Sequence, residues 1–299
     1  MIKKTRCDGT YLPGLHHFVR MLPYFIPTRT EATIYFEQEL DITDTLVFLK
    51  QFNRDLEPGQ PKMTFFQLFL CAGVRTIVLR PNLNRFVSGR NYYQRNEIAF
   101  NFVAKRELTD EGEEINVKIP FSPFETLRSM GPKVHDEIRK ATREGGNDSE
   151  RTNEIIMKLP RWAINTFFRA YRFLEYHNMA PESIVRVDPF YSTVFLTNVG
   201  SVGIDAPFHH NFEWGTCGLF VALGKVRRQW KPDRRGTLRQ RDVVRVTFTY
   251  DDRIADGVYG GRAIELFKTL VEHPEPLLSP PELSADTLEK LMLKDYPAS

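Results

Sequence analysis

A β-strand that runs directly into an acidic loop and then a helix is the feature that most constrains the fold of this chain. In VVRVTFTY, residues 243–250, apolar side chains alternate along the sequence. One face of this strand carries Val244, Val246, Phe248 and Tyr250. The following loop, DDRIADG at 251–257, holds three aspartates, and a helix is predicted at 258–272. The end of a core strand therefore presents carboxylates beside the start of a helix.

The other predicted elements mix strands with long helices and lack the regular βαβ spacing of a doubly wound sheet. Strands are predicted at 31–41, 97–105, 114–119, 191–198, 216–225 and 241–250. Helices are predicted at 43–53, 64–79, 123–143, 151–178 and 258–272, and loops at 144–147 and around 145–150. This mixture favours an α+β layered fold. We expect a single domain over 1–273 with a helical insertion at about 151–180, followed by a proline-rich tail at 274–299 that forms an appendage.

Charge and hydropathy narrow the class of protein. The formal net charge of +3 is too small to indicate a nucleic-acid partner by itself. No apolar run approaches the roughly 18 residues of a membrane span, and the N-terminus lacks the apolar core of a secretory signal. The three cysteines, Cys7, Cys71 and Cys217, are far apart and form no disulfide or metal-ligand pattern. A cytoplasmic protein without membrane contact is expected.

Three segments, in order along the chain, carry recognisable motifs. The first is RPNLNRFVSGRNYYQRNEIAFNFVAK at 80–105, and the second is VFLTNVGSVG at 194–203, which contains Thr197, Asn198 and Gly200. The third is TYDDRIADGVYGG at 249–261. These segments resemble the superfamily of chloramphenicol acetyltransferase and the E2 acyltransferase domains of 2-oxoacid dehydrogenases. The resemblance extends over roughly residues 15–273.

The resemblance implies a two-layer sandwich with a mixed β-sheet and flanking helices, assembled as a homotrimer or a larger cage. It also implies an acyltransferase that uses coenzyme A or acyl-CoA as a substrate and has its site between subunits. Thr197 lies where the family keeps a serine that steadies the tetrahedral intermediate, with Asn198 and Gly200 beside it as substrate-binding residues. Because only about 15 residues precede the matched region, we expect a free-standing core without a covalent lipoyl group.

The acidic loop departs from the family pattern at its most important position. The His-x-x-x-Asp-Gly signature reads here Asp252-Arg253-Ile254-Ala255-Asp256-Gly257, with Asp252 in place of the catalytic histidine. A carboxylate with a pKa near 4 is a poor acceptor for the proton of a thiol with a pKa of about 8.5. Burial and the neighbouring aspartates would raise its pKa, whereas Arg253 would lower it. Asp252 is therefore either a working base or an ion-paired loop carboxylate in a silent site.

A pair of histidines offers a replacement base. His209 and His210 in APFHHNFEWGTCG are predicted on a loop near the substrate channel, His210 as a catalytic and His209 as a substrate-binding candidate; a structural, solvent-facing role remains the alternative. Nearby Glu213 could suggest a metal, but no further ligand follows at regular spacing. The aspartates at 251, 252 and 256 could bind a hard cation, although the family loop accounts for two of them without one. No metal is expected.

Asp256 and Gly257 have structural alternatives of their own. The resemblance implies that Asp256 pairs with an arginine of the N-terminal region, and Arg20 is the candidate; a helix cap at Val258 is the other possibility. Gly257 is expected to permit close backbone approach.

Basic residues crowd the predicted hairpin at 225–241. They are Lys225, Arg227, Arg228, Lys231, Arg234, Arg235, Arg239 and Arg241. Such a cluster could bind the phosphates of coenzyme A or nucleic acid, or form a solvated face.

The leading hypothesis is transfer of an acyl group between coenzyme A, or an acylated lipoyl or carrier arm, and a small acceptor. The alternative is a silent pseudoenzyme that forms a trimeric or cage-like scaffold and binds partners. The acyl group and the acceptor stay open.

Overall fold

The computed structural model describes residues 6–105, 114–143, 156–233 and 235–296. The strands are β1 (Gly9–Tyr11), β2 (Thr33–Asp41), β3 (Arg85–Ser88), β4 (Asn91–Arg95), β5 (Ile98–Lys105), β6 (Glu114–Phe121), β7 (Val194–Asn198), β8 (Leu219–Pro232) and β9 (Leu238–Asp251). The α-helices are α1 (His17–Phe25), α2 (Thr43–Arg54), α3 (Phe65–Leu79), α4 (Leu127–Arg143), α5 (Arg161–Tyr176), α6 (Glu182–Val187), α7 (Gly257–Glu272) and α8 (Ala285–Leu291). Short 3₁₀ turns lie at Pro81–Asn84, Val199–Val202 and Glu275–Leu278.

A six-stranded mixed sheet in the order β2-β9-β8-β7-β5-β6 organises the molecule. The pairs β5–β7 and β7–β8 are parallel, and the outer pairs are antiparallel. A smaller sheet, β1-β4-β3, contains two strands of the motif segment 80–105, and the third strand of that segment, β5, belongs to the large sheet. The sheet and its flanking helices confirm the predicted α+β layered fold with a mixed sheet.

Helices α3 and α7 cover one face of the sheet and build the main core with it. Helix α3 begins with a capping box, in which Thr64 accepts from the backbone N–H of Gln67 and the Gln67 side chain accepts from that of Thr64. The rings of Phe69 on α3 and Phe267 on α7 meet edge to face at 4.8 Å, and Phe248 on β9 packs on Phe267. The predicted apolar face of β9 is confirmed, because its four side chains all lie in this core.

The opposite face of β9 is also buried where the strand ends. Thr247 and Thr249 donate hydrogen bonds to the backbone carbonyls of Pro207 and His209, each at 2.6 Å. The segment 205–215 thus lies across this outer face and covers side chains that strict alternation would leave in solvent.

Two predictions about individual segments are wrong. The single helix expected at 151–178 is interrupted at Pro160, and α5 begins only at Arg161; residues 151–155 lie outside the described ranges. The tail is not a loose appendage, because Leu277, Leu291 and Leu293 are buried in the main core. The predicted loops at 144–147 and 145–150 and the turn between β5 and β6 also lie outside the described residues.

Strands β8 and β9 extend further into the predicted hairpin than the sequence indicated. The basic residues of the hairpin therefore lie along both strands. Ion pairs join Arg227 to Asp205, Arg228 to Asp242, Lys231 to Glu39, Arg239 to Asp233, Arg241 to Asp41 and Asp44, and Arg245 to Glu37. Arg234 lies outside the described residues. Because most of the charge is matched by carboxylates of the hairpin and its neighbours, this surface favours the interpretation as a solvated face. No helix in the described ranges combines the length and the hydrophobicity needed to cross a bilayer.

Candidate active site

The acidic loop begins with a buried ion pair that sequence reasoning missed. Asp251, the last residue of β9, is 1% exposed, and Arg253 is 4% exposed. The guanidinium of Arg253 donates from Nε to Asp251 Oδ1 at 2.8 Å and from Nη2 to Oδ2 at 2.7 Å. Its Nη1 donates to the backbone carbonyls of Ile26 and Pro27, at 3.1 and 3.2 Å. This bidentate pair ties the loop to the chain segment that leads into β2.

A second buried arginine approaches the same carboxylate from the N-terminal region. Arg29 Nε lies 3.9 Å from Asp251 Oδ2. The other nitrogens of Arg29 donate to the backbone carbonyls of Phe212 and Gly215. Asp251 therefore faces two guanidinium groups, and each arginine also holds a separate piece of backbone in place around the loop.

Asp252 is the carboxylate of the loop that stays unpaired. Its backbone N–H donates to the carbonyl of Ala32 at 2.8 Å. Its half-buried side chain has no hydrogen bond or ion pair with any of the described residues. Burial raises the pKa of Asp252, and the negative charges of Asp251 and Asp256 raise it further. Arg253 donates its hydrogen bonds to Asp251 and to backbone carbonyls, not to Asp252.

Asp256 has one of its two predicted structural roles, whereas the roles predicted for Arg20 and Gly257 need correction. Asp256 caps α7 by accepting from the Tyr259 N–H at 2.9 Å, as one of the two alternatives proposed. Arg20 lies on the exposed side of α1 and forms no ion pair with Asp256. The arginine of the N-terminal region that approaches the acidic loop is Arg29, and the carboxylate it approaches is Asp251. A Cβ on Gly257 would meet no atom within 4 Å, so close approach does not explain this glycine.

The end of β7 and the turn after it hold Thr197, Asn198 and Gly200 together. Thr197, Asn198 and Gly200 are half-buried, and they follow directly on the buried part of that strand. A Cβ on Gly200 would lie 2.3 Å from the carbonyl oxygen of Gly224, so only glycine lets this turn pack against the irregular stretch of β8. The close approach that we predicted for Gly257 is therefore found at Gly200.

Within one chain the two halves of the predicted site lie far apart. Thr197 pairs with Ala222 on β8, and Ala222 pairs with Thr247 on β9. Asp252 follows five residues later, which places it roughly 17 Å further along the strand direction and about 10 Å across two strand spacings. The hydroxyl of Thr197 and the carboxylate of Asp252 are thus separated by about 20 Å, too far for both to contact one reacting group.

The two histidines differ in their surroundings. The ring of His209 stacks on Phe220 with a centroid distance of 3.8 Å and an interplanar angle of 5°, and its Nδ1 lies 3.0 Å from the carbonyl oxygen of His210. His209 is therefore packed on the outer face of the sheet, in agreement with the structural alternative. His210 is exposed and has no carboxylate partner among the described residues. Those residues also contain no cluster of three or more metal-ligating side chains.

Alternation along β9 was the one signal that could have identified the buried pair. Thr247, Thr249 and Asp251 share the face opposite to the core residues, and all three are buried. A buried aspartate requires a cationic or hydrogen-bonding partner. The sequence offers Arg253 two residues later, but only the fold shows that Arg29 joins it.

A family model matches part of this chain. The family described as 2-oxoacid dehydrogenases acyltransferase (catalytic domain) matches residues 187–279, which include both the Thr197 turn and the acidic loop. The sequence matches none of the curated proteins.

Solved structures share the fold at low sequence identity. The cubic core of the pyruvate dehydrogenase multienzyme complex superimposes with a TM-score of 0.58 at 13% identity, over 87% of this chain and 88% of that one. Dihydrolipoamide acetyltransferase of Azotobacter vinelandii gives a TM-score of 0.58 at 14% identity, over 90% and 95%. A probable dihydrolipoamide acetyltransferase of Listeria monocytogenes gives 0.56 at 13% identity, over 92% and 98%. The predicted fold of the acyltransferase core is thereby confirmed.

Proposed function

We propose that this chain is an acyltransferase in which Asp252 serves as the general base. An acyl group would pass between coenzyme A, or an acylated lipoyl or carrier arm, and a small acceptor. The observation that carries the proposal is the unpaired carboxylate of Asp252, whose pKa is raised while Asp251 takes up the arginines around it. The family match over 187–279 supports the type of reaction.

The chemistry assigned to the two residues is proton transfer and oxyanion stabilisation. Asp252 accepts the proton of the acceptor's thiol or hydroxyl group. At the same time the sulfur or oxygen of that acceptor attacks the thioester carbonyl. The Thr197 hydroxyl donates to the oxyanion of the tetrahedral intermediate, which then collapses and expels the thiolate of the donor. Because the pKa of Asp252 is raised, it lies closer to the thiol pKa of about 8.5, and Asp252 is a better proton acceptor than an ordinary aspartate.

A homotrimer, alone or assembled into a larger cage, follows from the same proposal. A protomer whose Thr197 and Asp252 lie about 20 Å apart needs a neighbour to complete the site. Exposed aromatic side chains are available for such contact: on α1, Phe18 is 59% and Phe25 is 62% exposed. Asn198 and Gly200 would line the channel beside Thr197. His210 is exposed on the segment 205–215 and would approach the acceptor from there.

The second candidate is a silent scaffold of the same shape. It is favoured by the aspartate at position 252, because a carboxylate is intrinsically a weaker base towards a thiol than an imidazole. In this case the trimer would bind an acyl thioester or a protein partner without turnover. A cytoplasmic location, coenzyme A as the donor and the lack of a bound lipoyl group or metal remain predictions under both candidates.

Turnover by the parent protein and by Asp252→His separates the two candidates. We expect the parent to release free coenzyme A from acetyl-CoA in the presence of dihydrolipoamide, and Asp252→His to do so faster because the imidazole pKa is closer to that of the thiol. The measurement is acetyl-dihydrolipoamide formation followed by chromatography, with heat-treated protein as the control. A parent without turnover, together with an active Asp252→His variant, would establish the scaffold instead.

A further inference from the structure

Helix α5 carries exposed aromatic side chains along its outer face. Trp162 is 73% exposed, Phe173 is 62% exposed and Tyr176 is 44% exposed. At 3.6 residues per turn these three positions share one face, which extends over the helix length of about 24 Å. The opposite face packs on the rest of the molecule, where Tyr171 is buried and its ring stacks on Trp214 at 4.7 Å. The exposed aromatic residues therefore lie on the side of α5 that the core does not use.

Apolar exposure continues beyond both ends of this helix. Met157 and Leu159 are exposed just before α5, and Met179 is exposed just after it. Single exposed apolar residues are common on protein surfaces. Six large ones within the short segment 156–181 are typical of a surface that contacts another partner.

The same segment is basic. Its lysine and arginines are Lys158, Arg161, Arg169 and Arg172. The three arginines are exposed, and none of them forms an ion pair with a residue that the structure describes. The one acidic residue, Glu175, lies on the same side of α5 as Tyr171, and its carboxylate accepts a hydrogen bond from Tyr191. The outer face of α5 is thus positively charged, in contrast to the hairpin of β8 and β9, whose arginines are paired with carboxylates.

This combination of side chains matches the chemistry of an anionic bilayer surface. Tryptophan and tyrosine favour the boundary between lipid headgroups and acyl chains. Arginine can lay its methylene stem on apolar surface while its guanidinium contacts a phosphate. A helix with exposed aromatic and basic side chains binds in the plane of the bilayer, and anionic lipids strengthen that binding. The outer face of a single helix is also convex, which suits a flat and fluid surface better than a rigid partner that must supply a matching groove.

We propose that the outer face of α5 binds the surface of a membrane that contains anionic phospholipids. Trp162 and Phe173 enter the headgroup boundary, and the arginines contact lipid phosphates. A helix that lies on a bilayer needs neither the length nor the hydrophobicity of a spanning helix, so this proposal revises the expectation of a protein without membrane contact. The contact does not depend on acyl transfer and exists in a silent scaffold as well. Helix α1 remains available for contact between protomers.

Sedimentation of the full chain with vesicles tests the proposal. One set of vesicles contains phosphatidylcholine alone, and the other is an equimolar mixture with phosphatidylglycerol. We expect the protein to sediment with the mixed vesicles, to remain largely in solution with phosphatidylcholine alone, and to bind less as salt is added. Trp162→Ala should weaken binding by about tenfold, because it removes the largest apolar group of the face. Arg169→Gln should weaken it by about fivefold, because one charge near the anionic surface is lost.

Two matched variants serve as controls. Trp230→Ala removes a tryptophan that is 68% exposed on the hairpin of β8 and β9, and Arg262→Gln removes an exposed arginine of α7; both should leave vesicle binding unchanged. A parent that sediments with neither kind of vesicle would overturn the proposal, as would equal losses in Trp162→Ala and Trp230→Ala. A smaller oligomer of Trp162→Ala in gel filtration would also overturn it, because the face would then join protomers.

Fluorescence gives a readout that does not require Trp162→Ala to fold. In a Trp230→Phe protein the remaining tryptophans are the exposed Trp162 and Trp214, which is half-buried and donates to Asp188. Brominated lipids quench tryptophan only when its ring enters the bilayer. We expect mixed vesicles with brominated acyl chains to quench part of the emission, and emission unchanged by vesicles that bind the protein would contradict the insertion of Trp162.

Discussion

Replacing Asp251 with alanine is expected to lower the free energy of unfolding by about 3–5 kcal/mol, the largest stability effect that we predict. The variant leaves the guanidinium of Arg253 buried without its bidentate partner and removes the carboxylate that Arg29 approaches. Both arginines also hold backbone carbonyls around the acidic loop, so the loop should lose its geometry together with its charge balance. Urea denaturation at neutral pH, followed by circular dichroism, measures the loss.

Asp256→Ala is the matched control for this variant. It removes another aspartate of the same loop, but one that is exposed and only caps α7, so a loss of about 1 kcal/mol is expected. Asp251→Asn, which preserves shape but not charge, should fall between these two. An Asp251→Ala variant as stable as Asp256→Ala would contradict the assignment of Asp251 and Arg253 as the anchor of the loop.

Replacing Asp252 with alanine is expected to reduce kcat for acyl transfer by about 10²–10⁴-fold and to change KM little, because a general base acts on the transition state and not on substrate binding. The fold should not suffer. Since the folded pKa of Asp252 is raised, its carboxylate at neutral pH disfavours the folded state relative to the unfolded one. The variant should therefore be at least as stable as the parent at pH 7. A kcat within twofold of the parent value would remove Asp252 from the mechanism.

The raised pKa also fixes the direction of the pH dependence. Asp252 must be ionised to accept a proton, so kcat/KM should rise with pH through a limb centred above 3.8, the ordinary value for an aspartate. The stability that protonated Asp252 confers is present at low pH and is lost as the pH rises through its folded pKa. Asp252→Asn should lack the kinetic limb, and its Tm should begin to differ from that of the parent once the pH exceeds 3.8, the ordinary pKa of an aspartate.

The sequence predicts most of the fold because local patterns and long-range packing agree. The alternation at 243–250 places four side chains in the core, and Thr64 begins a helix through a capping box that its own sequence encodes. The exceptions arise where one residue overrides a pattern or where burial depends on a partner. Pro160 divides a helical stretch, and Leu277 and Leu291 become core residues only because α3 lies beneath them.

The site was harder to predict because its contacts join residues far apart in the chain. The three-aspartate loop was identified, and Asp256 does cap a helix. The sequence could not show which arginine of the N-terminal region approaches the acidic loop. Arg20 and Arg29 are both candidates by position, and only the fold shows that Arg29 is the buried one. For the same reason the sequence could not distinguish Gly200 from Gly257. Of these two glycines, only Gly200 packs so closely against another backbone segment that a Cβ would clash.

Cross-linking between positions 197 and 252 tests the central claim most directly. Thr197→Cys and Asp252→Cys are combined in a Cys7→Ser background, which removes the exposed native cysteine and leaves the buried Cys71 and Cys217. The bis-maleimide is chosen too short to bridge the ~20 Å that separates the positions within one chain. We predict covalent trimers on a denaturing gel for the double variant and monomers for each single variant. Monomers alone from the double variant would contradict a site shared between neighbouring protomers.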